Sequence, residues 1–427
     1  MINRTTKMAA GALALIFVVT LAPTALPAHA APPAGAAAAI DELLERRAEA
    51  VRIRDKDAFM ATIDPASERF VERQGRLFDA MRSVDFASYS LVTKWERFGD
   101  LVRPSDKARY PGAEDVAIPL TEERYRIAGF DPEEAAEDLF YTFVKRDGEW
   151  SVAEDTDLDD LALFSARHLW DRGALEPRRS DHFLQWQHPC SGENCLTLGA
   201  EFLPLAESGL KRVDEYWHGP WTRRVIVLVP SSQGELRRML QTSIDLDNFV
   251  AFAYSTIDLA HGIDFTGHRI ILNPNAFEVQ TRERVLTILT HELAHIATRD
   301  SSGVFIPTWI EEGFAEVTAY DRDPSALAFF DARVEAGEFD GRLPKDFEFT
   351  TGDGTEIYMS YQEAQSAISY FIERWGLDRF ETFYVRLGRV GISPGTSSYH
   401  VDSALRETIG VSLANFASAW ARASARD

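Results

Sequence analysis

Positive charge is scarce in this sequence. Its 427 residues include 45 lysines and arginines against 67 aspartates and glutamates, which gives a formal charge of −22 at pH 7. Nucleic acids and anionic membrane surfaces attract basic proteins, so the acidic balance argues against both as partners. The same balance favours solubility and mutual repulsion between copies, and it does not identify a substrate.

Long apolar stretches are absent after the first 30 residues. Residues 1–30 have the layout of a secretory signal peptide, with Arg4 and Lys7, an apolar run over residues 8–19 and a terminal small-x-small cleavage site, AHA. An uncleaved membrane anchor is the alternative, and the run is short for a bilayer span. The segment also lacks the cysteine of a bacterial lipid anchor. We expect cleavage after residue 30, which changes the formal charge to about −24, and a secreted mature protein without a membrane segment.

Cysteine is limited to Cys190 and Cys195, in the stretch PCSGENCL. In an exported protein, such a closely spaced pair most simply forms a disulfide that closes a surface loop. The alternative is a metal site completed by the nearby His182 and His188. The missing second C-x-x-C pair disfavours it.

The length and composition are those of a folded protein with two or three domains, since 45% of residues are apolar and 26% are charged. The low-complexity stretch APPAGAAA predicts a linker over residues 31–38. Helical periodicity followed by strand-like segments predicts a small α+β domain over residues 39–160, with a hairpin turn at Asp147 and Gly148. This order weakly resembles the cone-shaped folds of the nuclear transport factor 2-like superfamily.

Two further segments follow the α+β domain. The sequence contains no internal repeat. Residues 161–215 are expected to be a helical connector that carries the cysteine loop. Residues 216–427 begin with buried-strand patterns such as VIVLV and continue with a strong helix, for which Thr281 is the expected N-cap. The last part of the chain has mainly helical patterns.

The strong helix contains the motif HELAH, filled by His291, Glu292 and His295. Histidines four residues apart lie one turn apart on the same helix face, so both can bind one zinc ion at about 2.0–2.1 Å. Glu292 projects beside that ion and can accept a proton from a zinc-activated water. The alternative is a solvent-exposed helix face that carries two histidines without a metal-binding role.

A catalytic zinc needs a third protein ligand, and the stretch WIEEGFAE offers Glu311, Glu312 and Glu316. Glu312 and Glu316 are four residues apart and share a face, whereas Glu311 is rotated by about 100° and is expected to face solvent. Helical phase allows Glu312 as ligand with Glu316 as the partner of a histidine N–H, or the reverse assignment.

The two motifs together resemble the gluzincin clan of zinc peptidases, especially its peptidase-MA-like group. The resemblance covers about residues 220–425 and implies a zincin-like domain, with a small mixed sheet, an active-site helix and C-terminal helices. It also implies Zn²⁺ held by His291, His295 and Glu312, with Glu316 as the supporting carboxylate. The link of sixteen residues between His295 and Glu312 is slightly shorter than in related families, which leaves the shape of this loop open. The aminopeptidase signature G-x-M-E-N is absent, so an aminopeptidase reading is unsupported.

Such enzymes usually add a side chain that stabilises the oxyanion. Tyr361 is the preferred candidate, just ahead of a downstream helix, with Tyr358 and His400 as alternatives. His261 and His268 are expected to be structural or surface residues. The sequence therefore predicts a secreted zinc metallopeptidase acting on peptides or proteins. The alternatives are a non-catalytic zincin-fold scaffold and a latent enzyme whose N-terminal domain covers the cleft.

Overall fold

The computed structural model describes residues 13–15, 31–189, 199–242, 244–258, 264–303, 305–321, 323, 325–390 and 395–425. Cys190 and Cys195 lie outside the described residues, and so do His261 and most of the expected leader. The fold is α+β, as predicted.

The first half of the chain carries short helices and small sheets. Its elements are β1 (Leu13–Leu15), α1 (Ala36–Arg52), α2 (Lys56–Met60), α3 (Glu68–Met81), β2 (Phe86–Thr93), α4 (Trp95–Phe98), α5 (Pro104–Lys107), β3 (Asp115–Ala117), β4 (Thr121–Ile127), β5 (Ala135–Leu139), β6 (Thr142–Arg146) and β7 (Glu149–Glu154).

The second half carries one larger sheet and most of the helices. Its elements are β8 (Glu176–Arg179), β9 (Phe183–Gln187), α6 (Phe202–Tyr216), β10 (Val225–Val229), α7 (Gln233–Leu240), β11 (Ala251–Asp258), β12 (Asp264–Leu272), α8 (Pro274–Phe277), α9 (Arg282–Thr298), α10 (Thr308–Tyr320), α11 (Ala328–Glu335), α12 (Gly354–Trp375), α13 (Leu377–Gly388), α14 (Ser397–Ile409) and α15 (Leu413–Ser424).

The N-terminal domain, α1 to β7, has two three-stranded antiparallel sheets, in the orders β2-β4-β5 and β3-β6-β7. Helix α1 packs against β2 and contributes Ile40, Leu43 and Leu44 to the core. The predicted hairpin joins β6 to β7, and both Asp147 and Gly148 have positive φ, as a two-residue hairpin turn of the primed type requires.

A six-stranded mixed sheet, in the order β1-β11-β12-β10-β9-β8, supports the second half. The expected helical connector over residues 161–215 is therefore wrong in part, because β8 and β9 lie within it and belong to this sheet. Strand β9 runs parallel to β10, with Phe183 opposite Val225. All five residues of β9 are buried, since the strand is covered on both faces, and such strands lack the alternating pattern that marks a half-buried strand.

The sheet has two apolar faces with different partners. We call the front face the one that carries Phe183, Val227 and Ala253, which pack in one core with α6 and α9. The back face, with Leu184, Ile226 and other residues of alternate positions, packs in a second core with α7 and the N-terminal domain. The strands thus alternate between two cores, which places the N-terminal domain and α9 on opposite sides of the sheet.

Close contacts fix the N-terminal domain on the back face. A Cβ added at Gly267 of β12 would lie 2.7 Å from the Ala135 Cβ of β5, so the backbones approach closely there. Arg269 of β12 binds Asp131 through two contacts of 2.6 and 2.8 Å, and both side chains are buried. Removing one partner of a buried pair costs about 3–5 kcal/mol, so we expect a substitution of either residue to destabilise this interface.

One short segment of the expected leader is described. Residues Leu13–Leu15 form β1, which pairs in parallel with Phe252–Tyr254 of β11 and also contacts α9. The pairing covers the open edge of β11, whose other edge is bonded to β12. Among the described residues, no helix has the length and apolar character needed to cross a membrane.

Candidate metal centre

Helix α9 carries the first part of the site. Its N-cap is Thr281, as predicted, whose hydroxyl accepts a hydrogen bond from the Arg284 N–H at 3.3 Å. Every residue from Ile288 to Thr298 is buried, because the helix lies between the sheet, α6 and α10. The His291 and His295 rings lie one turn apart, with 3.0 Å between their Nε2 atoms.

Helix α10 brings the third donor. The Oε2 atom of Glu312 lies 3.1 Å from His291 Nε2 and 3.3 Å from His295 Nε2. Donor atoms bound tetrahedrally at about 2.0–2.1 Å from one zinc ion lie about 3.3 Å from one another, so the three atoms are spaced as zinc ligands are. Two imidazoles and a carboxylate are also a donor set that suits zinc.

A glycine allows α10 to reach this position. A Cβ added at Gly313 would lie 2.5 Å from the backbone oxygen of Ala364 and 2.6 Å from the Ile368 side chain, both on α12. The backbones of α10 and α12 therefore pack directly against each other at the residue after Glu312. This close packing also brings α12, and Tyr361 with it, to the metal centre.

Glu316 lies where the ligand assignment predicts. Its Oε1 atom is 2.8 Å from His291 Nδ1, on the ring nitrogen opposite the metal side. Burial disfavours a charge on His291, but Glu312 and Glu316 outweigh burial and raise the pKa of His291 to about 10. Burial likewise opposes the charge on Glu312, yet the two histidines lower its pKa to about 2. A metal ion at this position would displace the proton from His291.

Replacing Glu316 with glutamine tests this supporting role. We expect zinc affinity to fall by about 10- to 100-fold, because an amide holds the His291 ring less firmly and makes it less basic. Competition with a chromogenic chelator measures the change. An unchanged zinc affinity, with the fold intact by circular dichroism, would show that Glu316 does not support the ligand.

Glu292 is fully buried beside these donors, and neither carboxylate oxygen has a hydrogen-bond partner among the described residues. Burial raises its pKa to about 8, although the charge of His291 and the nearby Ala253 N–H, which does not form a full hydrogen bond, act in the opposite direction. Glu292 therefore lies close to β11. A carboxyl group poised near neutral pH beside a metal site is suited to exchange a proton with water.

Tyr361 also reaches the site. Its side chain is fully buried, its ring centre lies 6.2 Å from that of His291, and its Oη atom has no partner among the described residues. Burial raises its pKa well above the usual value, and the nearby carboxylates add to this, so it stays a hydrogen-bond donor. Tyr358 and Tyr361 lie within α12, not ahead of it, because the helix begins at Gly354.

The other candidates lie elsewhere. Tyr358 is half-buried against Phe329. His400 is on α14 with its ring centre 4.4 Å from that of Phe305. His268 is buried and lies 2.9 Å from Ser255 Oγ and 3.5 Å from Asp300, which agrees with a structural role.

Glu311 does not face solvent, and that expectation is wrong. Its exposure is 6%, because the side of α10 away from the metal is covered by α13, where Tyr384 Oη donates to Glu311 Oε1 at 3.5 Å. Burial raises its pKa to about 7, although nearby Arg299 acts against this. The helical phase correctly predicted that Glu311 points away from the two histidines. It could not predict that α13 covers that side of α10.

Arg299 is a site residue that motif reasoning missed. It follows Glu292 by seven residues and comes directly after α9, at the start of a single 3₁₀ turn over Arg299–Ser301. Its side chain is 1% exposed, and its charge acts on Glu292, His295 and Glu311. In the sequence, only the seven-residue spacing could have indicated that Arg299 lies near Glu292. An arginine at a predicted helix end is normally exposed to solvent and interacts with the last carbonyl groups of the helix.

No protein-family model and no curated protein matches this chain significantly. The peptidase interpretation therefore depends on the HELAH and WIEEGFAE residues and on how their donor atoms converge.

Proposed function

We propose that the protein is a zinc-dependent peptidase that hydrolyses peptide bonds with an activated water. The observation that carries the proposal is the convergence of His291, His295 and Glu312, each buried, next to the unpartnered carboxyl group of Glu292. A purely structural zinc site usually has four protein ligands, whereas three leave a position for water or substrate. A proton acceptor beside that position fits hydrolysis.

Each side chain then has a distinct role. His291, His295 and Glu312 would hold the zinc ion, and Glu316 would orient His291. When bound, zinc acidifies a water molecule to a pKa of about 7 and polarises the scissile carbonyl group. Glu292 accepts the proton of the attacking water and returns it to the leaving amine. The Tyr361 hydroxyl donates a hydrogen bond to the oxyanion.

The test is metal content together with turnover. Purified mature protein should contain about one zinc ion per chain and should cleave members of a broad peptide library, and a chelator should stop cleavage until zinc is restored. Protein that stays metal-free in excess zinc would refute the metal centre. Protein that binds zinc but cleaves no peptide would favour the non-catalytic scaffold.

Latency through the N-terminal domain receives no support from the packing, because this domain lies on the back face and α9 on the front face. A chain shortened to begin near Arg212 would also lose β8 and β9 and would leave Arg269 without Asp131. Such a truncation would disrupt the sheet instead of opening a cleft.

The strand β1 leads to an expectation about the activity of the uncleaved precursor. Because β1 occupies the edge of β11 next to Ala253 and Glu292, it lies where an extended peptide would pair. We expect the mature chain starting at Ala31 to cleave peptides faster than the uncleaved precursor, at equal zinc content. Equal rates for the two forms would show that β11 is open in the precursor.

A further inference from the structure

Arg299 is a buried arginine directly after α9. Its Nε and Nη2 atoms are buried and have no hydrogen-bond partner among the described residues. A buried charged group without a partner is costly, and native proteins almost always pair it with a counter-charge, a ligand or water. These two nitrogens therefore need an explanation that the metal-site residues do not supply.

Arg299 lies further along β11 than Glu292 does. Glu292 is next to Ala253 of β11, and the Arg299 guanidinium carbon lies 5.2 Å from the ring centre of Phe265, the residue of β12 that pairs with Ile257 of β11. Four residues therefore separate the β11 positions beside Glu292 and Arg299. A peptide that pairs with β11 and passes Glu292 would also pass Arg299.

The register of β11 sets the distance from the reacting bond. Ala253 and Ile257 are four residues apart on one strand, and an extended peptide has nearly the same rise per residue, about 3.3–3.6 Å. A group held by Arg299 would thus lie within about four residues of the scissile bond.

From this geometry we infer that Arg299 is a specificity residue that binds a carboxylate of the peptide substrate, within about four residues of the scissile bond. The inference rests on the proposed peptidase function and narrows its substrate class. A guanidinium offers parallel N–H groups that match the two oxygens of a carboxylate. Two sources share this chemistry, namely the C-terminal α-carboxylate and an acidic side chain.

A structural role is the competing explanation. Glu292 and Glu311 both feel the Arg299 charge, so Arg299 could serve only to offset buried carboxyl groups. That role would make every substrate equally dependent on Arg299. A carboxylate-binding role makes only anionic substrates dependent on it.

The experiment compares matched N-acetylated peptides. One pair ends in a free acid or an amide, and a second, amidated pair carries either an acidic residue or its amide counterpart within about four residues of the cleaved bond. For wild type we expect kcat/KM about 10- to 100-fold higher for one of the carboxylate peptides, and the preferred pair identifies the source. R299Q should remove this preference, so that the carboxylate peptide loses more of its kcat/KM than its neutral partner does.

Controls separate binding from folding. R282Q removes an exposed arginine at the start of α9, where it pairs with Glu201, and should keep the preference. R299K keeps the charge without the two-pronged geometry and should reduce the preference in part. Zinc content and thermal unfolding are measured for each variant. If both Arg299 variants lose zinc or fail to fold, Arg299 is a structural counter-charge and the inference fails.

Binding gives a second readout that does not need turnover. Zinc-loaded E292Q protein should bind the preferred carboxylate peptide more tightly than its neutral partner by calorimetry, and adding R299Q should abolish the difference. Equal binding of both peptides would overturn the role of Arg299 even if the protein cleaves peptides. Absence of any cleavage, with the binding preference intact, would instead overturn the peptidase function.

One kinetic outcome also contradicts the inference. An equal loss of kcat on all peptides in R299Q would show that Arg299 acts in the step common to all substrates, and not in the choice between them.

Discussion

Glu292→Gln should leave about one zinc ion bound and lower kcat for peptide hydrolysis by about 10²- to 10⁴-fold, the usual contribution of a positioned general base. Glutamine has nearly the same shape but cannot accept the proton of the attacking water. Zinc content by mass spectrometry of metals and single-substrate kinetics measure the two effects. Full activity in E292Q would assign the proton transfer to another group.

The same substitution should stabilise the metal-free protein. The folded-state pKa of Glu292 is about 8, against about 4.5 when exposed, so the folded state holds a proton that the unfolded state releases between these values. Stability supplied by the protonated form is present at low pH and declines as pH rises from about 4.5 to 8. E292Q lacks this decline, so its advantage should grow across that window to a few kcal/mol, at about 1.4 kcal/mol per pKa unit.

Urea unfolding of metal-free wild type and E292Q at several pH values measures this advantage. A variant that loses activity through misfolding would be less stable than wild type, so the sign of the stability change distinguishes loss of the base from loss of the fold. An unchanged difference between pH 5 and pH 8 would show that Glu292 is not the buried group that titrates.

Glu312→Gln should remove zinc and activity together, whereas Glu311→Gln should keep both. The neighbouring residues are both buried on α10, but only Glu312 faces the two histidines. A neutral amide is a poor zinc ligand, so the affinity loss in E312Q should exceed the roughly 10- to 100-fold cost of losing a supporting hydrogen bond. The matched pair controls for size, burial and loss of one negative charge.

Zinc titration of both variants, with peptide hydrolysis as a second readout, decides the assignment. Retention of wild-type zinc affinity by E312Q would reject Glu312 as the third ligand. Loss of zinc in E311Q at wild-type stability would show that the face of α10 that carries Glu311 also contributes to the metal centre.

Local spacing was enough to predict most of the candidate metal site. The i, i+4 relation of His291 and His295 and of Glu312 and Glu316 follows from the helical repeat, which depends on backbone geometry alone. The N-cap Thr281 was also predictable, because capping is a contact within one turn. The choice between Glu312 and Glu316 needed the distance between two helices, and the structure places Glu312 nearest both Nε2 atoms.

Other features depended on contacts between distant parts of the chain. The strand β9 lacks alternation because the N-terminal domain covers its back face, and Glu311 is buried because α13 covers it. The position of the N-terminal domain opposite α9 follows from the Arg269–Asp131 pair, whose members are far apart in the sequence.

The amino-acid order alone thus specified the donor residues, their helical phase and the two helices that carry them, since these depend on neighbours within a few residues. Tertiary packing decided which surfaces those helices present to other elements. It buries Glu311 and places the Arg299 guanidinium against the Phe265 ring of β12. Burial shifts the pKa of a carboxyl group, and it makes a charged side chain costly unless a partner is close by. Such burial arises only when distant segments of the chain pack together.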